Sequence, residues 1–253
     1  MAAAAAAVAI GVTTTLDATG LTVFSALPLL PIGRLFWFLQ RHSRRDVGFA
    51  WGRAGDYALA LLYPVVVLGA VTGIAALAGA LHPGAADWRK AGLNLLLLTG
   101  STVLVALVTE EGFFRGWLWA SLARAGLGRG AVLLGTSVIF SLWHLSAVVL
   151  PTGFNPPAAQ VPVFMLNAAV LGAIWGLLRE RSGSLIVCSV SHGLWNGLDY
   201  VLFGFGSRVG ALGVRETAFY GPEVGVLGLL FNLLFALALW RWGRPRTARV
   251  AAA

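Results

Sequence analysis

Apolar runs of about twenty residues recur along this chain, and each one ends at an arginine, a glycine or a proline. A stretch of that length matches the hydrocarbon thickness of a bilayer when it is wound as a helix. Only 11% of the 253 residues are charged and 58% are hydrophobic, with a mean hydropathy of +0.82. A soluble domain carries roughly a quarter charged residues. The runs are continuously apolar rather than alternating, which excludes a β-barrel. The chain is therefore read as an all-α polytopic membrane protein, a bundle of about seven to eight transmembrane helices with a polar site inside. The pattern predicts helices near 20–40, 56–81, 91–123, 130–150, 162–179, 184–204 and 224–242. Pro28 and Pro31 predict that the first of these is kinked or broken.

Residues 1–19 are alanine-rich without a basic start, so they read as a tail or weak helix rather than a signal peptide. Residues 20–242 form one bundle, and 243–253 form a basic tail. Gly69/Gly73, Gly112/Gly116 and Gly172/Gly176 have the small-xxx-small spacing that permits close helix packing. The lone Cys188 excludes an intramolecular disulfide and reads as a packing residue. Gly55-Asp56 reads as a helix cap. Tyr57, Trp88 and Trp240 fit interfacial positions.

The net charge of +8 comes from arginines at helix ends and in short loops, not from a patch with interleaved aromatics, so nucleic acid is not an expected partner. If the 41–54 loop is cytoplasmic, alternation places 124–129, 179–183 and the C-terminus on the same side. Those regions hold Arg41, Arg44, Arg45, Arg53, Arg124, Arg129, Arg179, Arg181, Arg241, Arg244, Arg246 and Arg249, twelve in all. The opposite side holds Arg89, Lys90, Arg208 and Arg215, which is four. The expected location is a bacterial plasma membrane with a cytoplasmic C-terminus.

Three strings break the apolar pattern: Glu110-Glu111-(x)3-Arg115, Phe140-(x)3-His144 and His192-(x)3-Asn196. A charge at membrane depth costs about 3 kcal/mol on insertion scales, which marks such residues as functional candidates. Glu110 lies 14 residues before Arg124, and His144 lies 15 after Arg129. At about 1.5 Å per residue both stand roughly 21–23 Å from one shared turn. His192 and Asn196 fall at a comparable depth, 11 and 15 residues after Arg181.

Glu111 and Arg115 are four apart and read as a structural ion pair. Glu110 is left free to act as a base, since burial raises a lone carboxyl's pKa. Glu110 and His144 would activate a water, while His192 and Asn196 would donate hydrogen bonds to an oxyanion. Ser137 and Ser141 are expected near His144, and Asp199 continues the His192–Asn196 stripe. No cofactor is expected. The alternative is zinc on Glu110, His144 and His192 with an open position for water, which would make a metalloendopeptidase. The helical HExxH signature is absent. No GxSxG elbow occurs either, and Ser182, Ser184, Ser189 and Ser191 have no identified base.

At these residues the sequence resembles the CAAX-protease and bacteriocin-processing (CPBP) family of intramembrane endopeptidases, whose pattern is EExxxR, FxxxH and HxxxN. The likeness covers about 95–200 and includes Arg181-Ser-Gly-Ser-Leu185. It implies a multi-helix fold with a site open to the cytoplasm. It also implies Glu110 and His144 on the attacking water, His192 and Asn196 on the oxyanion, and Glu111 and Arg115 holding the site together. The function this suggests is hydrolysis of a peptide bond in a membrane-associated peptide or protein, with the bilayer and that substrate as partners. The alternatives are an acyltransferase acting on lipoproteins, a bacteriocin immunity protein, or a transporter using the polar cluster.

Overall fold

A computed structural model describes residues 1–242; the basic tail at 243–253 lies outside the described residues. Helix α1 spans Ala2–Ala18, α2 Leu29–Gln40, α3 Ala54–Leu77 and α4 Trp88–Val108. A π-helical turn, Glu111–Leu118, and α5, Trp119–Arg124, continue α4. Then follow α6 (Arg129–Trp143), α7 (Leu145–Val149), α8 (Val161–Ser182), α9 (Leu185–Leu198) with a second π-helical turn (Asp199–Phe203), α10 (Thr217–Tyr220) and α11 (Val226–Trp242). Among the described residues the β structure is a hairpin of two-residue strands, β1 Gly204–Phe205 antiparallel to β2 Arg208–Val209.

Local chemistry sets the helix ends. Asp56 Oδ2 accepts from the Arg53 N–H at 3.1 Å, so Asp56 does cap α3. Asp87 accepts from the Lys90 N–H at 2.9 Å at the start of α4. Gly183, at φ +71°, closes α8, and Ser184 accepts from the Val187 N–H to open α9 at once. The expected break near Pro28 and Pro31 is present: a short 3-10 turn at Thr22–Phe24 precedes α2, which starts only at Leu29.

Five helical stretches among the described residues are long and apolar enough to cross a membrane: Thr22–Gln40, Ala54–Leu77, Trp88–Arg124, Arg129–Val149 and Ala158–Ser182. Ala2–Ala18 and Val226–Trp242 are apolar but shorter, so length and composition alone support five spans rather than seven to eight. The outer face of α4 leaves Leu96 and Leu104 exposed, as a lipid-facing helix does. The interior is aromatic, centred on Trp117, Trp175, Trp195, Tyr63, Phe113 and Phe114.

The glycine pairs separate in the structure. A Cβ at Gly172 would stand 3.1 Å from Ser137 Cα, so α8 packs closely on α6. Gly116 likewise faces Leu185 and the Val47 carbonyl. Gly69 and Gly73 face open space and mediate no helix contact. One close backbone-to-backbone approach between helices is at a glycine the spacing argument passed over. A Cβ at Gly193 of α9 would lie 2.8 Å from Thr99 O and 2.9 Å from Val103 N of α4.

The bundle has two distinct ends. At one, Arg124 donates to the Gln40 carbonyl and pairs with Asp46, Arg129 pairs with Glu180 at 2.7 Å, and Arg181 lies 3.6 Å from Asp56. Arg179 donates to the Asp46 carbonyl at 2.9 Å there. At the other end the His82 N–H donates to Leu212 O, and Gln160 meets Thr217.

Candidate active site

The acidic pair sits where the backbone of the long third span changes its winding. The α-helix stops at Val108, and the π turn from Glu111 adds a residue per turn, a local irregularity often found at functional sites. Both glutamates thereby reach the same histidine. His192 Nδ1 lies 2.9 Å from Glu111 Oε1, and His192 Nε2 lies 3.9 Å from Glu110 Oε2. The two carboxyls face different ring nitrogens of it.

Arg115 approaches the same Glu111 oxygen at 3.3 Å, so the expected ion pair is present but shared with His192. Glu111 and Arg115 are both fully buried, and Glu111 Oε2 and Arg115 Nη2 find no hydrogen-bond partner among the described residues. The guanidinium lies over the rings of Phe140, 4.1 Å from its centroid, and Trp175, at 5.3 Å. Trp175 also stacks on the His192 imidazole at 4.0 Å, 14° from parallel. Cation–π contact and ring stacking thus hold the charged pair from the side that hydrogen bonds leave open.

His144 caps α6. Its Nδ1 lies 2.8 Å from the Phe140 carbonyl, which can only accept, so Nδ1 carries the proton and Nε2 keeps a lone pair. Edge contacts from Phe140 and Trp143, at 4.4 and 4.7 Å, fix the ring. Ser137 and Ser141 do not serve it: they donate to the Leu133 and Met165 carbonyls. Asn196 stands one turn beyond His192 on α9.

Glu110, His144, His192 and Asn196 line one cavity of about 660 Å³. Phe140, Trp143, Phe164 and Trp175 form its apolar wall. Among the described residues no group of three or more His, Cys, Asp or Glu side chains is arranged to hold a metal ion. Glu110, His144 and His192 share the cavity without forming a compact ligand set.

Three cavity features had no signal in the motifs. Glu223, in the loop between α10 and α11, lines the cavity and accepts from the Trp195 indole at 3.1 Å. Burial pushes its carboxyl up from the ordinary glutamate range, with the Trp195 indole acting against that. Its loop is anchored by Asn167, which donates to the Pro222 and Glu223 carbonyls, and Asn167 accepts from Asn232. Thr13 and Asp17 of α1 form a second wall. Trp143 donates to Thr13 Oγ1 at 2.8 Å, and Ser146 donates to Asp17 Oδ2 at 2.6 Å. The third is Trp175. Cys188, expected as packing, is buried with Sγ 3.3 Å from the Trp175 carbonyl.

The cavity's exposed lining residues, Val23, Gly153 and Ser207 among them, lie at the end away from the arginine cluster.

A helical bundle with five stretches long and apolar enough to cross a bilayer is an integral membrane protein, and this one encloses a buried acid–imidazole chamber. Residues 92–198, the segment carrying all three motifs, match the family model described as type II CAAX prenyl endopeptidase Rce1-like. At the level of the family, that match supports an intramembrane protease. The chain is also 30% identical over 161 residues to the bacteriochlorophyll synthase 44.5 kDa chain of Rhodobacter capsulatus; the likeness covers 58% of this chain and 37% of that one. The chain thus spans well under half the length of that relative. No solved structure matches it.

Proposed function

We propose that this protein is an intramembrane endopeptidase that hydrolyses a peptide bond of a membrane-associated peptide or protein without a metal. The observation that carries the reading is the convergence of Glu110, His144, His192 and Asn196 on one aromatic-walled cavity. Glu110 takes a proton from a water whose second hydrogen is held by the His144 Nε2 lone pair. The water oxygen attacks the carbonyl carbon, and the charge that develops on the carbonyl oxygen is met by the Asn196 amide and by His192 Nε2–H. Glu111, whose Oε1 lies 2.9 Å from His192 Nδ1, holds the ring in place for that contact. The C–N bond then breaks, and the proton on Glu110 passes to the leaving amine.

The test is Glu110→Gln in purified protein reconstituted with membrane peptides, with products read by mass spectrometry in H2 18O. Cleavage is expected to fall at least about 100-fold, the range for loss of a general base, with one heavy oxygen in each wild-type product acid. Chelator is expected to leave wild-type cleavage unchanged. Retained cleavage in Glu110→Gln, or products carrying a transferred acyl group and no heavy oxygen, would sink the reading.

A further inference from the structure

The cavity mouth and the arginine-rich turns occupy opposite ends of the bundle. The turns at 41–54, 124–129 and 182–185 are tied together by Arg124–Asp46, Arg179–Asp46 and the Leu185 N–H to Gly48 carbonyl bond, so they form one surface. Met1 joins that surface, with Sδ 3.9 Å from Gln40. Eight arginines in or beside those turns, Arg41, Arg44, Arg45, Arg53, Arg124 and Arg129 with Arg179 and Arg181 in the last turn of α8, stand against Arg89, Lys90, Arg208 and Arg215 at the far end. Basic residues flanking spans are retained on the cytoplasmic side, where they are drawn to the anionic leaflet. The far end holds the mouth: Val23, Gly153, Phe154, Phe205, Ser207 and Arg208. Val23 is 84% exposed there and Phe205 38%, an apolar rim suited to a chain entering from lipid or from its surface.

We infer that the chamber opens on the non-cytoplasmic face of the membrane, so that its substrate is a translocated chain, a peptide segment exported across the bilayer or anchored in its outer leaflet. This rests on the peptidase reading for the nature of the reaction, but not for the side on which it happens. Helix α1 fits the same arrangement. It starts beside Gln40 at the arginine end and delivers Thr13 and Asp17 to the chamber wall near the mouth. A substrate made in the cytoplasm reaches such a site only after export, so the reaction that must precede this one is translocation.

The experiment places single cysteines in a Cys188→Ala chain and labels them in spheroplasts with a membrane-impermeant maleimide. Ser207→Cys at the mouth is expected to react at once, and Ala125→Cys at the arginine end only after permeabilisation, with at least a tenfold difference in labelling. Val23→Cys and Leu127→Cys repeat the comparison should either first variant misfold. Labelling in the opposite order, or equal labelling of both positions, overturns the inference. Cleavage of a soluble peptide is then compared in detergent and in spheroplasts given the peptide from outside. Hydrolysis at both supports the inference; hydrolysis in detergent alone overturns it and leaves the peptidase standing. No hydrolysis in either overturns the peptidase, and the labelling still decides which way the chamber faces.

Discussion

His192 meets a carboxylate at each ring nitrogen, and this gives the two adjacent glutamates different tasks. Glu111 shares one oxygen between His192 and Arg115 at full burial, whereas Glu110 remains open to the cavity. Removing the charge of Glu111 would leave a guanidinium buried without its anion, a defect that costs about 3–5 kcal/mol. Glu111→Gln is therefore expected to lower the melting temperature and deplete folded protein, whereas Glu110→Gln melts like the wild type in the same detergent. Equal melting of all three proteins would remove Glu111 from this supporting role. Glu110, His144, His192 and Asn196 could be read from the sequence as candidates because each puts a polar side chain into an apolar helix. Glu223 could not, because its link to the site runs through Trp195, twenty-eight positions away in sequence, and through a loop that no periodicity marks. Trp175 reads in the sequence as one more apolar residue; only its stacking on His192 gives it a place.

At the level of elements, the motif-bearing helix α9 is held by how closely its backbone meets α4. Glycine at 193 is required by space alone: the helix is regular there, but any side chain would press on the carbonyl of Thr99 and the amide of Val103. Backbone atoms cannot step aside as a flexible side chain does. Gly193→Val is expected to push α9 away from α4, separating His192 from both glutamates and reducing stability and turnover together, by several kcal/mol for the fold. Gly69→Ala, which faces open space in α3, is expected to change the melting temperature little or to raise it, since alanine is the better helix former by about 1 kcal/mol. A paired thermal melt of these variants distinguishes a contact glycine from a tolerated one. The helix positions themselves followed from hydropathy, with six of the seven expected starts within four residues of those observed. What spacing could not supply was which glycines meet a neighbour, since Gly69/Gly73 and Gly193/Gly197 have the same pattern and opposite surroundings. The π turn at Glu111–Leu118 was likewise hidden, because the run from Trp88 to Arg124 reads as one continuous apolar helix.

Across the whole molecule, the family-like segment at 92–198 does not close its own chamber. Its wall is completed from both sides, by Glu223 in the loop before α11 and by Thr13 and Asp17 of α1. The N-terminal contribution bears directly on His144. The residue before it, Trp143, donates its indole N–H to Thr13, and Ser146, two residues after it, donates to Asp17, which also accepts from Ser25 at 2.5 Å. Helix α1 therefore grips the chain on both sides of the histidine proposed to hold the water. Thr13→Val keeps the shape and removes the acceptor, leaving a buried indole N–H unsatisfied at a cost of about 1–3 kcal/mol. Asp17→Ala removes the second grip. Each is expected to lower turnover more than it lowers peptide affinity, since His144 loses its aim while the apolar wall persists, and the two together are expected to cost less than the sum of their separate effects because they act on one element. Measurement of kcat and KM for the single and double variants, with melting temperatures alongside, decides this. A rise in KM alone would mean that α1 only lines the path of the substrate. Effects that add in full would mean that the two contacts do not act through His144.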